Sequence, residues 1–334
     1  MDIQRIGIVG AGAWGTALAV AARRAGRDVV LQAHEPEVAA AVNDRHENPF
    51  LPGIALDPAI RAITGPAQAL EADAVLLVAP AQFLRRVCAS VAAVWPAGLP
   101  AVICAKGIEQ GSGALMSEAV AAVLPQAPLA VLSGPSFAAE VAHGLPTAVT
   151  LASSDLALAR TLAAALGSAP FRVYASDDMV GAELGGAVKN VLAIGCGIVE
   201  GRGLGDNARA ALITRGLAEI IRLGDTLGAK ASTFMGLSGL GDLVLTCNAM
   251  QSRNFSLGVA LGEGRSLGEV LGERKSVAEG VYTAASVMAL AGRHGVDMPI
   301  CRAVDAVLNG GAGVEETIAG LLARPVGAEF KGKG

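Results

Sequence analysis

Short apolar runs alternate with alanine-rich or amphipathic stretches through the first half of the chain. The apolar runs predict buried strands, and the stretches between them have the composition and length of helices. Strands that are nearly continuous in apolar residues and alternate with helices favour a parallel sheet covered on both faces. The predicted strands are 6–9, 29–31, 74–78, 101–104, 129–132 and 148–151, and the predicted helices include 16–25, 37–42, 83–93 and 114–123.

The pattern changes from about Asp178 onward, where strand-like runs become rare and long stretches rich in Ala, Leu and Gly predict helices. A chain of 334 residues also exceeds one typical domain and suggests two. We therefore expect an α/β domain followed by a separate all-helical domain, with the boundary within 174–181.

A glycine-rich turn follows the first predicted strand. Gly10 permits a tight turn, Gly12 lets a pyrophosphate approach the main chain, and Gly15 lets the next helix pack close to the strand. The pattern alone is weak in a chain with 43 glycines, but its position between a strand and a helix strengthens it. The segment predicts a dinucleotide site, with phosphates at the positive end of the helix.

A signal peptide is the alternative interpretation of this segment, since Arg5 precedes an uncharged run over 6–22. Acidic Asp2, the interrupting glycines and the lack of a cysteine pattern typical of disulfides argue against it. The five cysteines are scattered, with none in a Cys-x-x-Cys pair, which fits a reducing cytoplasm. No stretch makes a convincing membrane span.

Composition and charge argue against a nucleic-acid partner and a metal site. Hydrophobic residues make up 52% of the chain and charged residues 17%, enough for large buried cores. The net charge of −4 comes without a basic block, so nucleic acid is not an expected partner. The four histidines lack metal-ligand spacing, and we expect no metal site.

Polar or turn residues follow three predicted strands, at 78–82, at Lys106-Gly107 and at 133–137. Ligands of open parallel sheets lie beyond the carboxyl ends of the strands. Ordinary strand-to-helix turns explain the Pro, Gly and Ser residues equally well. Lys106 is harder to explain in that way, because a lysine directly after an apolar strand tends to meet a ligand or an acid.

Lys189 lies in an apolar helical run, with Leu192 and Ala193 on the same helical face. A partly desolvated lysine has a lowered pKa and can exchange a proton with a substrate near neutral pH. Neighbouring Asn190 offers an amide to a carbonyl or hydroxyl group. The alternative is a lysine whose stem packs while its ammonium group reaches solvent.

A glycine-rich turn containing Asp242 precedes Thr246 and the triplet Ser252-Arg253-Asn254. Asp242 would serve equally as a helix cap, and the triplet as a solvated loop. As a functional group, Arg253 is suited to bidentate phosphate binding. The residues together fit a substrate that carries a phosphate and a carbonyl that needs a proton.

These motifs together resemble the bacterial NAD(P)-dependent glycerol-3-phosphate dehydrogenases, from residue 10 to about 279. The markers are Gly-Ala-Gly-Ala-Trp-Gly-Thr-Ala-Leu-Ala at 10–19, Asn-Pro-Phe-Leu-Pro-Gly at 48–53, Lys-Gly-Ile-Glu at 106–109, Gly-Pro-Ser-Phe-Ala at 134–138 with Glu140, Lys-Asn at 189–190, Gly-Leu-Gly-Asp-Leu at 239–243, Ser-Arg-Asn at 252–254 and Val-Ala-Glu-Gly at 277–280. Each is short, but their joint order is specific.

The resemblance implies a Rossmann-like doubly wound domain over 1–180 and a helical substrate and dimerisation domain over 181–334. It implies NAD or NADP as cofactor, a cytoplasmic homodimer, and reversible reduction of dihydroxyacetone phosphate to sn-glycerol 3-phosphate for glycerophospholipid synthesis. Lys189 is the implied general acid/base. The implied substrate residues are Lys106, Gly134, Ser136, Lys189, Asn190, Asp242, Thr246, Ser252, Arg253 and Asn254. The implied cofactor residues are Gly10, Gly12, Ala13, Trp14, Gly15, His34, Phe50, Lys106, Ala138, Arg253, Val277 and Glu279.

The chain departs from many relatives after the second strand, where it has His34-Glu35 in place of two adjacent arginines. An acidic residue there favours NAD by bonding the ribose hydroxyls, whereas His34 can accept a 2′-phosphate. We expect both cofactors to work.

Two other functions compete with this interpretation. Related dehydrogenases of the 6-phosphogluconate and hydroxyisobutyrate types use a lysine and an asparagine on a similar helix, but lack the Ser-Arg-Asn and Lys-Gly-Ile-Glu motifs. A non-catalytic nucleotide sensor would be expected to lose Lys189 or Arg253, and this chain keeps both.

Overall fold

The computed structural model describes residues 2–273, 278–326 and 329. The strands are β1 (Arg5–Val9), β2 (Asp28–Gln32), β3 (Arg61–Ile63), β4 (Ala74–Leu77), β5 (Ala101–Ile103), β6 (Leu129–Ser133), β7 (Thr147–Ala152) and β8 (Phe171–Ser176). The helices are α1 (Ala13–Arg24), α2 (Pro36–Ala40), α3 (Ala81–Val91), α4 (Met116–Ala121), α5 (Ala138–His143), α6 (Leu156–Leu166), α7 (Met179–Gly201), α8 (Asp206–Thr226), α9 (Ala231–Phe234), α10 (Asp242–Cys247), α11 (Arg253–Gly262), α12 (Leu267–Glu273), α13 (Glu279–Arg293), α14 (Pro299–Asn309) and α15 (Val314–Leu322).

Within the described residues the strands form one sheet in the order β3-β2-β1-β4-β5-β6-β7-β8. This arrangement confirms the Rossmann-like α/β class, because the strand order reverses direction at β1, as in doubly wound folds. The carboxyl ends of β1 and β4 lie side by side there, since the two strands are parallel and hydrogen-bonded. That edge of the sheet is the expected ligand site.

The sheet departs from the predicted parallel arrangement at one pairing: β7 pairs antiparallel with β6, and β8 runs parallel to β7. A buried apolar strand has the same composition in either direction, so the sequence pattern could not distinguish them. Strands β3 and β8 were not predicted. β3 is very short and begins with Arg61, while Arg172 and Tyr174 interrupt the apolar pattern of β8.

Helix predictions were close but displaced at the ends. α1 begins at Ala13, directly after the glycine turn, instead of at residue 16. The stretch predicted as one helix over 37–42 is α2 followed by a π-helical turn, Ala41–Arg45. Both differences follow from backbone hydrogen bonding, which sets helix ends more finely than side-chain pattern does.

The described chain after β8 is helical, and the change from sheet to helix falls between Ser176 and Met179. α7 is the central helix of this half. Its length and composition would suit a membrane span, yet that whole apolar window is buried inside the protein. A long apolar helix enclosed in this way is typical of a protein core.

Glycines let α7 and α11 pack with their backbones in contact. A Cβ atom at Gly197 would lie 2.1 Å from the carbonyl oxygen of Phe255, and one at Gly258 would lie 2.1 Å from that of Ile194. Any side chain at these positions would therefore separate the helices. The close approach brings the amino-terminal end of α11 beside the middle of α7, where Lys189 lies.

Candidate active site

The glycine turn after β1 has the geometry that a dinucleotide phosphate site requires. Gly10 has φ +113°, and a Cβ at Gly15 would lie 1.8 Å from the Gly10 carbonyl oxygen. At Gly12, by contrast, a Cβ would meet nothing within 4 Å. No side chain caps α1, and the buried indole Nε1 of Trp14 has no partner among the described residues. The uncapped N–H groups of α1 beside open space are suited to a phosphate.

Three further predicted cofactor residues, His34, Phe50 and Ala138, lie in loops or at the start of a helix. His34 is exposed just after β2, and Ala138 begins α5 after β6. Phe50 is about half exposed, and its backbone N–H donates to Oδ1 of Asn48 at 2.8 Å. Val277 lies outside the described residues.

The centre of the site is a buried carboxylate between two lysines. Asp242 accepts from the Nζ of Lys106 through Oδ2 at 2.7 Å and from the Nζ of Lys189 through Oδ1 at 2.5 Å. Asp242 is 1% exposed and Lys189 6%. Lys189 therefore does not reach out to solvent, and Asp242 is the shared counter-ion rather than a helix cap.

Further hydrogen bonds fix both ammonium groups. Lys106 Nζ donates to the carbonyl oxygen of Gly134 at 2.9 Å, and the Ser136 hydroxyl donates to the same oxygen. Lys189 Nζ donates to Thr246 Oγ1 at 2.9 Å, and this hydroxyl donates to the backbone carbonyl of Asp242 at 2.6 Å. Thr246 thus contacts the candidate acid/base directly.

A chain of amides joins three helices beside the lysines. Asn190 Nδ2 donates to the carbonyl oxygen of Lys106 at 3.3 Å, while its Oδ1 accepts from Asn254 Nδ2 at 2.9 Å. The Oδ1 of Asn254 accepts from the N–H of Gly280 at 3.0 Å. These bonds connect the end of β5 to α7, α11 and α13, and so relate the two halves of the protein at the site.

Burial and charge set the proton affinities of the central groups. Burial lowers the pKa of Lys189 to about 8, with Asp242 opposing the shift and Lys106 adding to it. Burial alone would raise the pKa of Asp242, but the positive charges of Lys106 and Lys189 outweigh it and hold that pKa below its usual value. A lysine that titrates near neutral pH is suited to general acid/base catalysis.

Glu279 is a second buried carboxylate at the site. Its Oε1 accepts from the N–H of Ala81, the first residue of α3, at 3.2 Å. Burial raises its pKa despite that hydrogen bond and the positive charge of Arg253. Glu279 therefore ties α13 of the helical half to the carboxyl edge beyond β4.

The triplet 252–254 begins α11. Ser252 Oγ accepts from the N–H of Phe255 at 3.2 Å and so caps the helix. Arg253 is exposed at the first helical position, and Asn254 is buried. A positive side chain at a helix amino terminus is a site suited to an anion.

Comparison with known proteins covers both halves of the chain. Residues 5–159 match the profile described as NAD-dependent glycerol-3-phosphate dehydrogenase N-terminus, and residues 178–319 match that of the C-terminus. The chain belongs to the NAD-dependent glycerol-3-phosphate dehydrogenase family. The resemblance inferred from the motifs is thereby confirmed, and it includes the helical half, which carries Lys189, Asp242 and Arg253.

Individual family members are similar over nearly their whole length. The glycerol-3-phosphate dehydrogenase [NAD(P)+] of Rhodospirillum rubrum is 64% identical over 98% of this chain and 94% of its own. That of Caulobacter vibrioides is 57% identical over 98% of this chain and 100% of its own. The crystal structure of glycerol-3-phosphate dehydrogenase from Coxiella burnetii superposes with a TM-score of 0.92 at 41% identity, over 96% of this chain and 99% of that one.

Proposed function

We propose that this protein catalyses the reversible NAD(P)-dependent reduction of dihydroxyacetone phosphate to sn-glycerol 3-phosphate. The observation that carries the proposal is the buried Asp242 carboxylate, held between buried Lys189 and half-buried Lys106 beside the amino terminus of α11. Arg253 is exposed at that terminus. This arrangement offers a proton for a carbonyl oxygen and a positive site for a phosphate. The names of the Rhodospirillum and Caulobacter relatives support it.

The glycine turn fits NAD or NADP, because the uncapped helix α1 and the open space at Gly12 offer donors and room to a pyrophosphate. When bound, the cofactor supplies the hydride. The residues proposed to hold it are Gly10, Gly12, Ala13, Trp14, Gly15, His34, Phe50, Lys106, Ala138, Arg253, Val277 and Glu279.

Lys189 donates a proton to the C2 oxygen of the substrate in reduction and accepts it in the reverse direction. Lys106 adds a second positive charge where the oxygen becomes negative, and Asp242 holds both ammonium groups in place. Arg253 and Asn254 bind the phosphate, and that binding energy aligns the reacting carbon. The proposed substrate residues are Lys106, Gly134, Ser136, Lys189, Asn190, Asp242, Thr246, Ser252, Arg253 and Asn254.

We further propose that residues 1–180 form the cofactor domain and residues 181–334 the substrate and dimerisation domain of a cytoplasmic homodimer. The transition from sheet to helix between Ser176 and Met179 supports the division. The cysteines are all free and buried in the described chain, which fits a reducing compartment. The proposed physiological role is supply of glycerol phosphate for membrane lipids.

The reaction is tested by following loss of NADH or NADPH absorbance on addition of dihydroxyacetone phosphate. We expect fast oxidation that depends on the phosphate, with unphosphorylated dihydroxyacetone as the control substrate. Comparison of the two cofactor rates measures the preference between NADH and NADPH that His34 and Glu35 are proposed to influence. Tight cofactor binding without oxidation would reject the substrate and favour a related dehydrogenase.

Replacement of Arg253 by alanine is expected to raise the KM for dihydroxyacetone phosphate about 10- to 100-fold, because a charged phosphate contact is lost. The Kd for NADH should rise much less than the KM, since Arg253 is only one of the residues proposed to hold the cofactor. Steady-state kinetics and NADH fluorescence titration separate the two effects. The matched control is Arg302→Ala, a surface arginine paired with Asp297. Equal damage to substrate and cofactor binding would contradict this role of Arg253.

A further inference from the structure

We infer that Asn48 is a positioning residue that fixes the phosphate-binding turn for the cofactor. This inference rests on the proposed dinucleotide function of that turn. Asn48 is 1% exposed and lies in the loop between the π-helical turn Ala41–Arg45 and β3. Its Nδ2 donates to the carbonyl oxygen of Ala11 at 3.0 Å and to Thr16 Oγ1 at 2.8 Å.

The contact with Ala11 determines the direction of the next N–H group. The Ala11 carbonyl and the Gly12 N–H belong to one planar peptide unit, and in a trans peptide they point in opposite directions. By holding the carbonyl on its own side, Asn48 turns the Gly12 N–H the other way. If this peptide unit flipped, it would present the Ala11 carbonyl oxygen to the proposed phosphate site, and that oxygen would repel a phosphate.

The same amide also fixes the loop that carries Phe50. Asn48 Oδ1 accepts from the Phe50 N–H at 2.8 Å, and the Phe50 side chain remains 49% exposed. Both amide protons and the amide oxygen of Asn48 are therefore used. One buried side chain joins two segments that are proposed to contact the cofactor, the glycine turn and the Phe50 loop.

The second acceptor, Thr16, extends the network into α1. Its hydroxyl is completely buried and lies 3.4 Å from the same Ala11 oxygen. Loss of the Asn48 amide would remove the 3.0 Å bond to the Ala11 oxygen and leave the long Thr16 contact, so this carbonyl would be poorly satisfied and less firmly held. The cost should appear in cofactor binding, since this carbonyl lies in the turn itself.

The test compares Asn48→Ala with a matched variant, Asn43→Ala. Asn43 lies five positions earlier and also makes two hydrogen bonds with backbone atoms, Nδ2 to the Ala62 oxygen at 3.0 Å and Oδ1 from the Ala62 N–H at 2.9 Å. Those bonds hold the turn Ala41–Arg45 to β3, away from the glycine turn. Asn43 is exposed whereas Asn48 is buried, so the Tm of each variant gives its structural cost, and the NADH affinity reports on the glycine turn.

We expect Asn48→Ala to raise the Kd for NADH, and the KM for NADH, about 10- to 100-fold. The kcat at saturating NADH should stay within about threefold of the unmodified protein, since Lys189 and Asp242 are untouched. Asn43→Ala should leave NADH affinity within about twofold while lowering the Tm. NADH fluorescence titration without substrate, steady-state kinetics and thermal unfolding supply these values.

Two further variants keep the test decisive if Asn48→Ala does not fold. Asn48→Asp retains the acceptor for Phe50 but replaces the donor to Ala11 with a carboxylate, and should weaken NADH binding at least as much. Thr16→Val removes the second acceptor and the long hydroxyl contact with the Ala11 oxygen but keeps the bond from Asn48 to Ala11, and should have a smaller effect.

Unchanged NADH affinity in Asn48→Asp or Asn48→Ala, or equal loss in Asn43→Ala, would overturn the inference. Failure of the unmodified protein to bind NADH would overturn the proposed function as well. Normal NADH binding without turnover of dihydroxyacetone phosphate would reject only the proposed reaction.

Discussion

Replacement of Lys189 by alanine should lower kcat for reduction of dihydroxyacetone phosphate by about 10²–10⁴, the usual contribution of a general acid. Lys189 is the buried ammonium group, bound to Asp242 and Thr246, whose pKa burial lowers to about 8. The Kd for NADH should remain near that of the unmodified protein. Stopped-flow or steady-state absorbance measurements give the rate, and fluorescence titration gives the affinity.

The variant Lys189→Met distinguishes the loss of the proton donor from the effect of an empty cavity, because methionine fills much of the same space but has no proton to donate. It should lose as much kcat as the alanine variant. Lys230→Ala is the control for a general lysine effect, since Lys230 is an exposed residue paired with Asp177. A near-normal kcat in Lys189→Met would remove Lys189 from the acid/base role.

The pH profile supplies an independent measure of the same group. Reduction requires the charged form of Lys189, so kcat/KM for reduction should fall as the pH rises through about 8. Oxidation of glycerol 3-phosphate requires the neutral form and should rise through the same range. In Lys189→Met, neither reduction nor oxidation should show this pH dependence near pH 8.

Replacement of Asp242 by asparagine should lower the free energy of unfolding at pH 7 by about 3–5 kcal/mol, because it leaves the buried ammonium group of Lys189 and the half-buried one of Lys106 without their counter-ion. Lys106 and Lys189 both bind this carboxylate, which is 1% exposed. Urea denaturation followed by circular dichroism measures the change. Activity should fall as well, since Asp242 holds Lys189 in place.

The pH dependence of the variant has a defined sign. Without Asp242 the pKa of Lys189 falls further, so the folded state releases a proton that the unfolded state retains. Stability relative to the unmodified protein should then recover as the pH rises, because neutral amines tolerate burial. Asp177→Asn removes an exposed partner of Lys230 and should leave the free energy of unfolding nearly unchanged, because solvent screens that pair. Similar losses in the two variants would contradict the central role of Asp242.

Local pattern was sufficient for the elements with strong, short-range signals. All six strands expected from apolar runs are present, and the glycine turn joins β1 to α1 as predicted. The residues at the ends of β1, β4, β5 and β6 were expected at one edge because parallel strands share their carboxyl ends. Arg253 was chosen for its chemical type, and Lys189 for its position in an apolar helical run. The helical half places both beside that edge.

The sequence by itself determined the fold class, the family and the candidate residues, because apolar periodicity, glycine spacing and ordered motifs are properties of neighbouring positions. Only the tertiary structure decided the reversed direction of β7, the sharing of Asp242 by two lysines, and the contact of Asn48 with Ala11. Each of these depends on which distant segments meet. Lys106 and Asp242 are 136 positions apart in the chain, and Ala11 and Asn48 are 37 apart. Such contacts are fixed by the packing of whole elements and cannot be predicted from the local sequence pattern.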